Sequence, residues 1–183
     1  IMQPVFQGGR LRANVERERA ILDQRRAEYA RTVQGAFREV LDGLRQAGWV
    51  LGVATGMSDR GLAHCLAEHG LADRFATLQT ADRHPSKPHP SMAEAALLET
   101  GASAANAVMI GDTVFDIEMA VSAGMRGIGV DWGYHASEDL LAAGARAFQL
   151  REKRLSTRDF VAYAEQFVER ARRKDALTII NDR

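Results

Sequence analysis

The sequence predicts an α/β fold, a mostly parallel sheet flanked by helices, and three observations carry the prediction. Short, nearly continuous apolar runs alternate with segments of helical periodicity. Glycines stand just past several of the helical segments, at Gly48, Gly70 and Gly124, where a left-handed closing residue is favoured. The strand-like runs read as buried on both faces rather than as alternating half-buried strands, which is the mark of parallel pairing. The 183 residues lie within the roughly 100–200 expected of one domain.

In chain order, residues 11–33 are charged and helix-favouring, rich in arginine, with Val15, Ala20, Ile21, Leu22 and Tyr29 as sparse apolar positions. A solvated helix face is the plain reading of that segment. Phe37, Val40, Leu41 and Leu44 follow at i, i+3, i+4 and i+7, an amphipathic helix ending at Gly48. Residues 49–55 form a strand expected to be buried on both faces. A helix over 59–69 and a strand over 75–80 come next. The loop RHPSKPHP at 83–90 then leads to Ser91-Met-Ala-Glu94, which has the form of a capping box. Strands over 107–110 and 127–130 flank a helix over 114–123. A helix near 137–143, a strand over 147–150 and a helix near 157–173 complete the series, with 170–183 read as a charged, fraying tail.

Composition narrows the function classes. Lys+Arg 24 against Asp+Glu 24 gives a formal net charge of +0, which argues against a basic nucleic-acid module and against a surface built for anionic membranes. No apolar run approaches the ~18 residues of a membrane-spanning helix. The single cysteine, Cys65, cannot form an internal disulfide, which points to a reducing, cytoplasmic setting. No histidine pair has zinc spacing with a third ligand, and Cys65 reads as a small core residue.

In parallel sheets ligands bind beyond the carboxyl ends of strands, so the residues just after each strand hold the chemistry. Thr55-Gly56-Met57-Ser58 places a hydroxyl, a glycine and a helix start in succession, suited to cradling a phosphate; a plain turn with Ser58 as N-cap is the alternative. Gly111-Asp112-Thr113-Val114-Phe115-Asp116 puts two carboxylates at one mouth, a donor set suited to Mg²⁺, although Asp112 also reads as a simple N-cap. Lys87, held among Pro85, Pro88 and Pro90, is either surface charge or an ammonium that offsets a phosphoryl group. Trp132, Tyr134 and His135 follow a strand end and either line a pocket or pack at the domain edge.

Taken in order, VATGMSDRGL at 53–62, HPSKPHPSM at 84–92, VMIGDTVFDIEMAVSAGM at 108–125 and GVDWGYH at 129–135 resemble the haloacid-dehalogenase-like (HAD) phosphohydrolase superfamily, most closely its phosphoglycolate-phosphatase-type branch. The resemblance implies a Rossmann-like core over 34–155, a remnant of an α-helical cap over 1–33, and a C-terminal helix and tail over 156–183 packed on the core. It implies that Thr55, Gly56 and Met57 bind phosphate, that Lys87 is catalytic by neutralising phosphate and nucleophile, and that Asp112 and Asp116 complete a Mg²⁺ site. The substrate implied is a small phosphorylated metabolite, with oligomeric state open.

One departure matters. In that family a strand ending in Asp-x-Asp supplies the nucleophile and the general acid, and lies between the strands at 49–55 and 107–110. None of the aspartates here is followed two residues later by another, and Val5-Phe6 is too short to replace that strand. Its loss would leave unpaired backbone on both sides of the gap. Two readings follow: a chain given without its first βα unit, about 30 residues or more, or a non-catalytic relative that binds a phosphate ligand or a partner. A receiver-like or nucleotide-binding domain would want an early phosphorylatable Asp or a glycine-rich fingerprint, and neither is present.

Overall fold

The computed structural model describes residues 10–130, 132–151 and 155–180. The N-terminal stretch through Gly9 with Val5 and Phe6, Asp131 in the 129–135 motif, and Asp182 lie outside the described residues. The chain divides into two compact units with the boundary between Trp49 and Val50.

Among the described residues the first unit holds a single helix, α1 (Arg10–Gln46), where the periodicity suggested two. Only Gly35 interrupts the pattern between them. A helix-interior glycine costs about 1 kcal/mol, and without a proline that is too little to break a long helix. The i,i+4 pair Arg12–Glu16 and the i,i+3 pair Asp23–Arg26 add modest support on its exposed surface. The end is a Schellman motif: Gly48 adopts φ +88°, its N–H donates to the Arg45 carbonyl, and the Trp49 N–H donates to the Leu44 carbonyl.

The second unit alternates β1 (Gly52–Thr55), α2 (Asp59–Glu68), β2 (Thr77–Thr80), α3 (Ser91–Thr100), β3 (Val108–Gly111), α4 (Val114–Ser122), β4 (Arg126–Val130), α5 (Ser137–Ala142), β5 (Ala147–Leu150), α6 (Thr157–Arg173) and β6 (Leu177–Ile180), with a short 3₁₀ turn at Ala104–Asn106. All pairings are parallel, as expected of an α/β fold with helical crossovers. The strands form two sheets, β1-β2 and β3-β4-β5-β6.

Because, among the described residues, β1 pairs only with β2 and β3 only with β4, each has one open edge there. The expectation of a strand buried on both faces over 49–55 is corrected by the exposure of β1 itself, where Gly52 is exposed and Val53, Ala54 and Thr55 are half-buried. Trp49 and Val50 lie outside the strand at 48% and 60% exposure, and Ile110 on β3 is 61% exposed. Helices α3 and α4 hold the two sheets together instead. Buried Met92, Ala93 and Met119 pack with Ala54 and Ala81 on one side and Met109 on the other.

The larger core lies over the four-stranded sheet. Ile117, Leu140, Phe148, Leu150, Ala164 and Phe167 are its buried centre, with the Phe148 and Phe167 rings edge to face at 5.1 Å. The tail reading also needs correction. Residues 177–180 form β6 in register with β5, and Asp175 at φ +54° makes the turn that returns the chain from α6. The basic residues ending α6 mask a β-branched run, Thr178-Ile179-Ile180, with strand propensity. The capping box expected at Ser91 and Glu94 does not form. Pro90 occupies the cap position, and the Ser91 hydroxyl is engaged by His84.

Candidate functional site

The carboxyl ends of β1 and β3 open toward one mouth, and Lys87 spans it. The Lys87 ammonium donates to the Ala54 carbonyl at 2.8 Å and to Asp116 Oδ1 at 2.6 Å. One contact is the residue before Thr55; the other is the second carboxylate of the Gly111–Asp116 motif. Three segments that are separate in sequence therefore meet at one cation. The pair is well covered, with side-chain exposures of 19% and 9%.

Asp116 has a second task. Thr113 and Asp116 form the reciprocal capping box of α4, with the Asp116 N–H on the Thr113 hydroxyl and Asp116 Oδ2 accepting from both the Thr113 hydroxyl and N–H. Both of its oxygens are thus committed. Gly111 makes this possible: a Cβ there would lie 2.3 Å from Asp116 Cβ. Asp112 is set by the turn after β4, where the Tyr134 N–H donates to its Oδ2 at 3.1 Å and the His135 N–H to its backbone carbonyl. A Cβ on Gly133 would meet Asp112 Cβ at 2.1 Å, so only glycine lets that turn approach so closely. Asp112 is therefore not the N-cap of α4; Thr113 is.

At the β1 end, the Met57 N–H turns onto the Thr55 hydroxyl at 3.2 Å, and Ser58 caps α2 by accepting from the Gly61 N–H. The N-cap role weighed for Ser58 is therefore real, and it leaves the Thr55 hydroxyl proton available to a ligand. An added Cβ at Gly56 would meet open space, so the backbone there is approachable. The first-turn carboxylate Asp59 is held below its ordinary range, chiefly by the Thr80 hydroxyl, against a smaller desolvation effect and with help from Arg83. The Asp59 N–H is itself taken by Asp82.

Around the mouth, Met57, Ile110, Phe115, Trp132 and Tyr134 are all exposed. Trp132 and Tyr134 face solvent rather than packing at an edge. His135 does pack: its Nδ1 accepts the Val114 N–H at 2.9 Å, and its ring stands against Phe115. That role was invisible in sequence, because it joins positions 21 residues apart. As a metal site, the segment after β3 offers Asp112 as a hard oxygen donor, while Asp116 is already held by Lys87 and Thr113. Among the described residues, no three His, Cys, Asp or Glu side chains gather as a metal cluster, and no helix is long and apolar enough to cross a membrane.

Comparison with known proteins agrees with the geometry. Residues 12–130 match the haloacid dehalogenase-like hydrolase family, and residues 130–183 match the thiamine monophosphate synthase family. The protein named Probable phosphatase IndB of Dickeya dadantii (strain 3937) is 37% identical over 139 residues, covering 66% of this chain and 60% of that protein. A phosphoglycolate phosphatase of Vibrio vulnificus (strain YJ016) is 30% identical, covering 58% of this chain and 47% of its own length. The chain thus spans about half the length of the curated relatives it matches. The solved structure of a hydrolase from Pseudomonas syringae superposes with TM-score 0.56 at 22% identity, covering 70% of this chain and 57% of that one, which shows a shared fold. The first match takes in most of the chain, and the chain belongs to the haloacid dehalogenase-like hydrolase family.

Proposed function

We propose that the 183 residues carry the phosphate- and metal-binding half of a Mg²⁺-dependent phosphomonoesterase acting on a small phosphorylated metabolite in the cytoplasm. The observation that carries the reading is Lys87, held between the Ala54 carbonyl and Asp116 at the mouth shared by β1 and β3. The partly covered ammonium lies at the strand end that carries the Thr55 hydroxyl, where its N–H groups and charge can be shared between Asp116 and a phosphoryl group.

In this reading the Thr55 hydroxyl and the backbone at Gly56 bind phosphoryl oxygens, the Met57 N–H leaves the Thr55 hydroxyl to join them when the ligand binds, and Lys87 offsets their charge. Asp116 fixes the ammonium through its Oδ1 while anchoring the start of α4 through its Oδ2. Asp112 is the first carboxylate that would hold Mg²⁺, and Asp116 its neighbour; bound there, the ion would supply charge stabilisation. None of these groups is placed as the attacking carboxylate. The Asp-x-Asp pair is absent from the sequence, and the open edges of β1 and β3 support its coming on a strand seated between them from outside these residues. Losing a covalent nucleophile lowers turnover by about 10⁴–10⁶-fold, so the chain alone is expected to bind without turning over.

The test compares the 183-residue chain with a version extended upstream in its reading frame, both given p-nitrophenyl phosphate and Mg²⁺. Hydrolysis by the extended form alone supports the reading. Hydrolysis by the 183 residues alone would refute the missing-nucleophile argument. If neither form turns over but both bind phosphate, the alternative of a non-catalytic phosphate-binding relative prevails.

A second reading concerns the C-terminal third, favoured by the match of residues 130–183 to thiamine monophosphate synthase. Within that segment β5, α6 and β6 form a parallel βαβ unit, preceded by α5 and the last residue of β4. On this reading that segment has its own affinity for a thiamine phosphate or for pyrophosphate. Amide shifts at Gln149, Leu150 and 177–180 on titration with either compound would support it. Shifts confined to residues 55–58 and 112–116 would exclude it.

A further inference from the structure

The loop between β2 and α3 presents Lys87, and a chain of polar side chains distinct from the groups assigned to phosphate runs along its base. Thr77, which is 4% exposed, donates its hydroxyl proton to Glu99 Oε2 at 2.5 Å. A hydroxyl has a single proton, so the Thr77 oxygen can only accept from Gln79, whose Nε2 lies 2.7 Å away. That fixes the amide of Gln79, itself 1% exposed: nitrogen toward Thr77, oxygen toward His84. The Gln79 oxygen stands 2.8 Å from His84 Nε2 and needs a donor, so Nε2 carries the proton. His84 Nδ1, 2.7 Å from the Ser91 hydroxyl, then accepts from Ser91 when the ring is neutral. Every atom named in the chain is satisfied, and each link has one direction, set at its far end by a carboxylate on the last turn of α3. The Thr77 and Gln79 hydrogen bonds, in that order, hold Glu99 below the ordinary carboxylate range and keep it an acceptor.

His84 leaves the start of the loop and Ser91 is where the loop re-enters α3, so the imidazole joins the two feet of the segment that carries Lys87. We propose that His84 is a positioning residue for Lys87, and that Glu99, acting through Thr77 and Gln79, fixes it as the Nε2–H tautomer. This rests on the reading of Lys87 as the phosphate-binding cation. His84 itself touches no phosphate and is not a metal ligand in this scheme.

The test uses the 183-residue chain with inorganic phosphate as the probe, and reads two quantities. Nitrogen-15 NMR of the His84 ring reports the tautomer, and calorimetry in Mg²⁺ reports phosphate affinity. The wild-type ring is expected as Nε2–H. Glu99→Gln, an exposed and conservative change, frees Thr77 and Gln79 to reverse direction, giving mixed tautomers and weaker phosphate binding. His84→Ala should weaken phosphate binding about five- to tenfold, the worth of roughly one net hydrogen bond. Near-UV circular dichroism confirms that each variant is folded. Where His84→Ala fails to fold, Glu99→Gln decides alone. A tautomer that does not respond to Glu99→Gln overturns the relay. Unchanged affinity in His84→Ala, while Lys87→Ala abolishes binding, overturns the positioning role alone. Phosphate binding that survives Lys87→Ala undiminished overturns the functional reading, and the role given to His84 with it.

Discussion

Replacing Asp116 by Asn should destabilise the second unit far more than loss of a surface ion pair would. Surface pairs contribute about 0–1 kcal/mol. The Lys87–Asp116 pair is different: its atoms are 2.6 Å apart and its side chains are only 19% and 9% exposed. Removing one partner of a buried pair costs about 3–5 kcal/mol, because the other charge is left without compensation. Here Lys87 keeps the Ala54 carbonyl and a little solvent, which places the expected loss near the lower end, about 3 kcal/mol. Asparagine retains a side-chain oxygen for Thr113, so the α4 cap survives and the change isolates the ion pair. With a urea slope of about 2 kcal/mol per molar, the unfolding midpoint should fall by roughly 1.5 M. Lys87→Met should cost a similar amount. The double variant should cost clearly less than the sum, with a coupling of about 2 kcal/mol. Single losses under about 1 kcal/mol that simply add would refute the argument that this pair fixes the lysine.

Three further outcomes follow from the same geometry. Gly133→Ala places a methyl group within 2.1 Å of Asp112 Cβ and should cost about 1–3 kcal/mol by thermal or urea unfolding while displacing that carboxylate, visible as weakened Mg²⁺ binding. Phe167→Ala, at a site with no exposure, should cost about 3–5 kcal/mol in urea unfolding, and β5 and β6 should lose amide-exchange protection first. Glu99 has a folded pKa below its ordinary 4.5, so its contribution to stability is fully present above that value and is lost as pH falls through the lowered one. The stability gap between wild type and Glu99→Gln should therefore hold constant above about pH 5 and shrink below pH 4.5, read from urea midpoints across pH 3–6.

Much of this molecule is legible in its sequence, and the reasons for the rest are physical. The apolar runs that became β4 and β5 stand out because strands inside a parallel sheet are largely covered and need little polar alternation, and the run that became β3 carries the same signal although Ile110 on it stays exposed. Residues 49–50 carry the same apolar signal yet stay exposed, since burial of a strand depends on neighbours that the strand itself does not encode. The 177–180 strand was hidden by the basic turn before it. Ser91 and Glu94 match a capping box locally, but His84 competes for the serine and wins, while Thr113 and Asp116 form the box that actually caps a helix. At the site, Thr55, Lys87, Asp112 and Asp116 were each readable as residue types following strand ends. His84, Gly133 and His135 were not, because their roles are contacts between positions far apart in the chain: a relay to α3, a close approach to Asp112, a cap on α4. Spacing rules describe helices and strands, and a glycine's empty side becomes informative only when its neighbour is known.

The most direct test of the central claim is calorimetric titration of inorganic phosphate into the 183-residue chain in the presence of Mg²⁺. One saturable site per chain is expected, weakened at least about tenfold by Lys87→Ala and by Asp112→Asn, the effect of losing one charge-assisted contact of about 1.4 kcal/mol or more. A substitution at exposed Arg17 on α1 should bring no such change. Binding that is equal in all four proteins, or absent from the unaltered chain, would contradict the assignment of this mouth as a phosphate site.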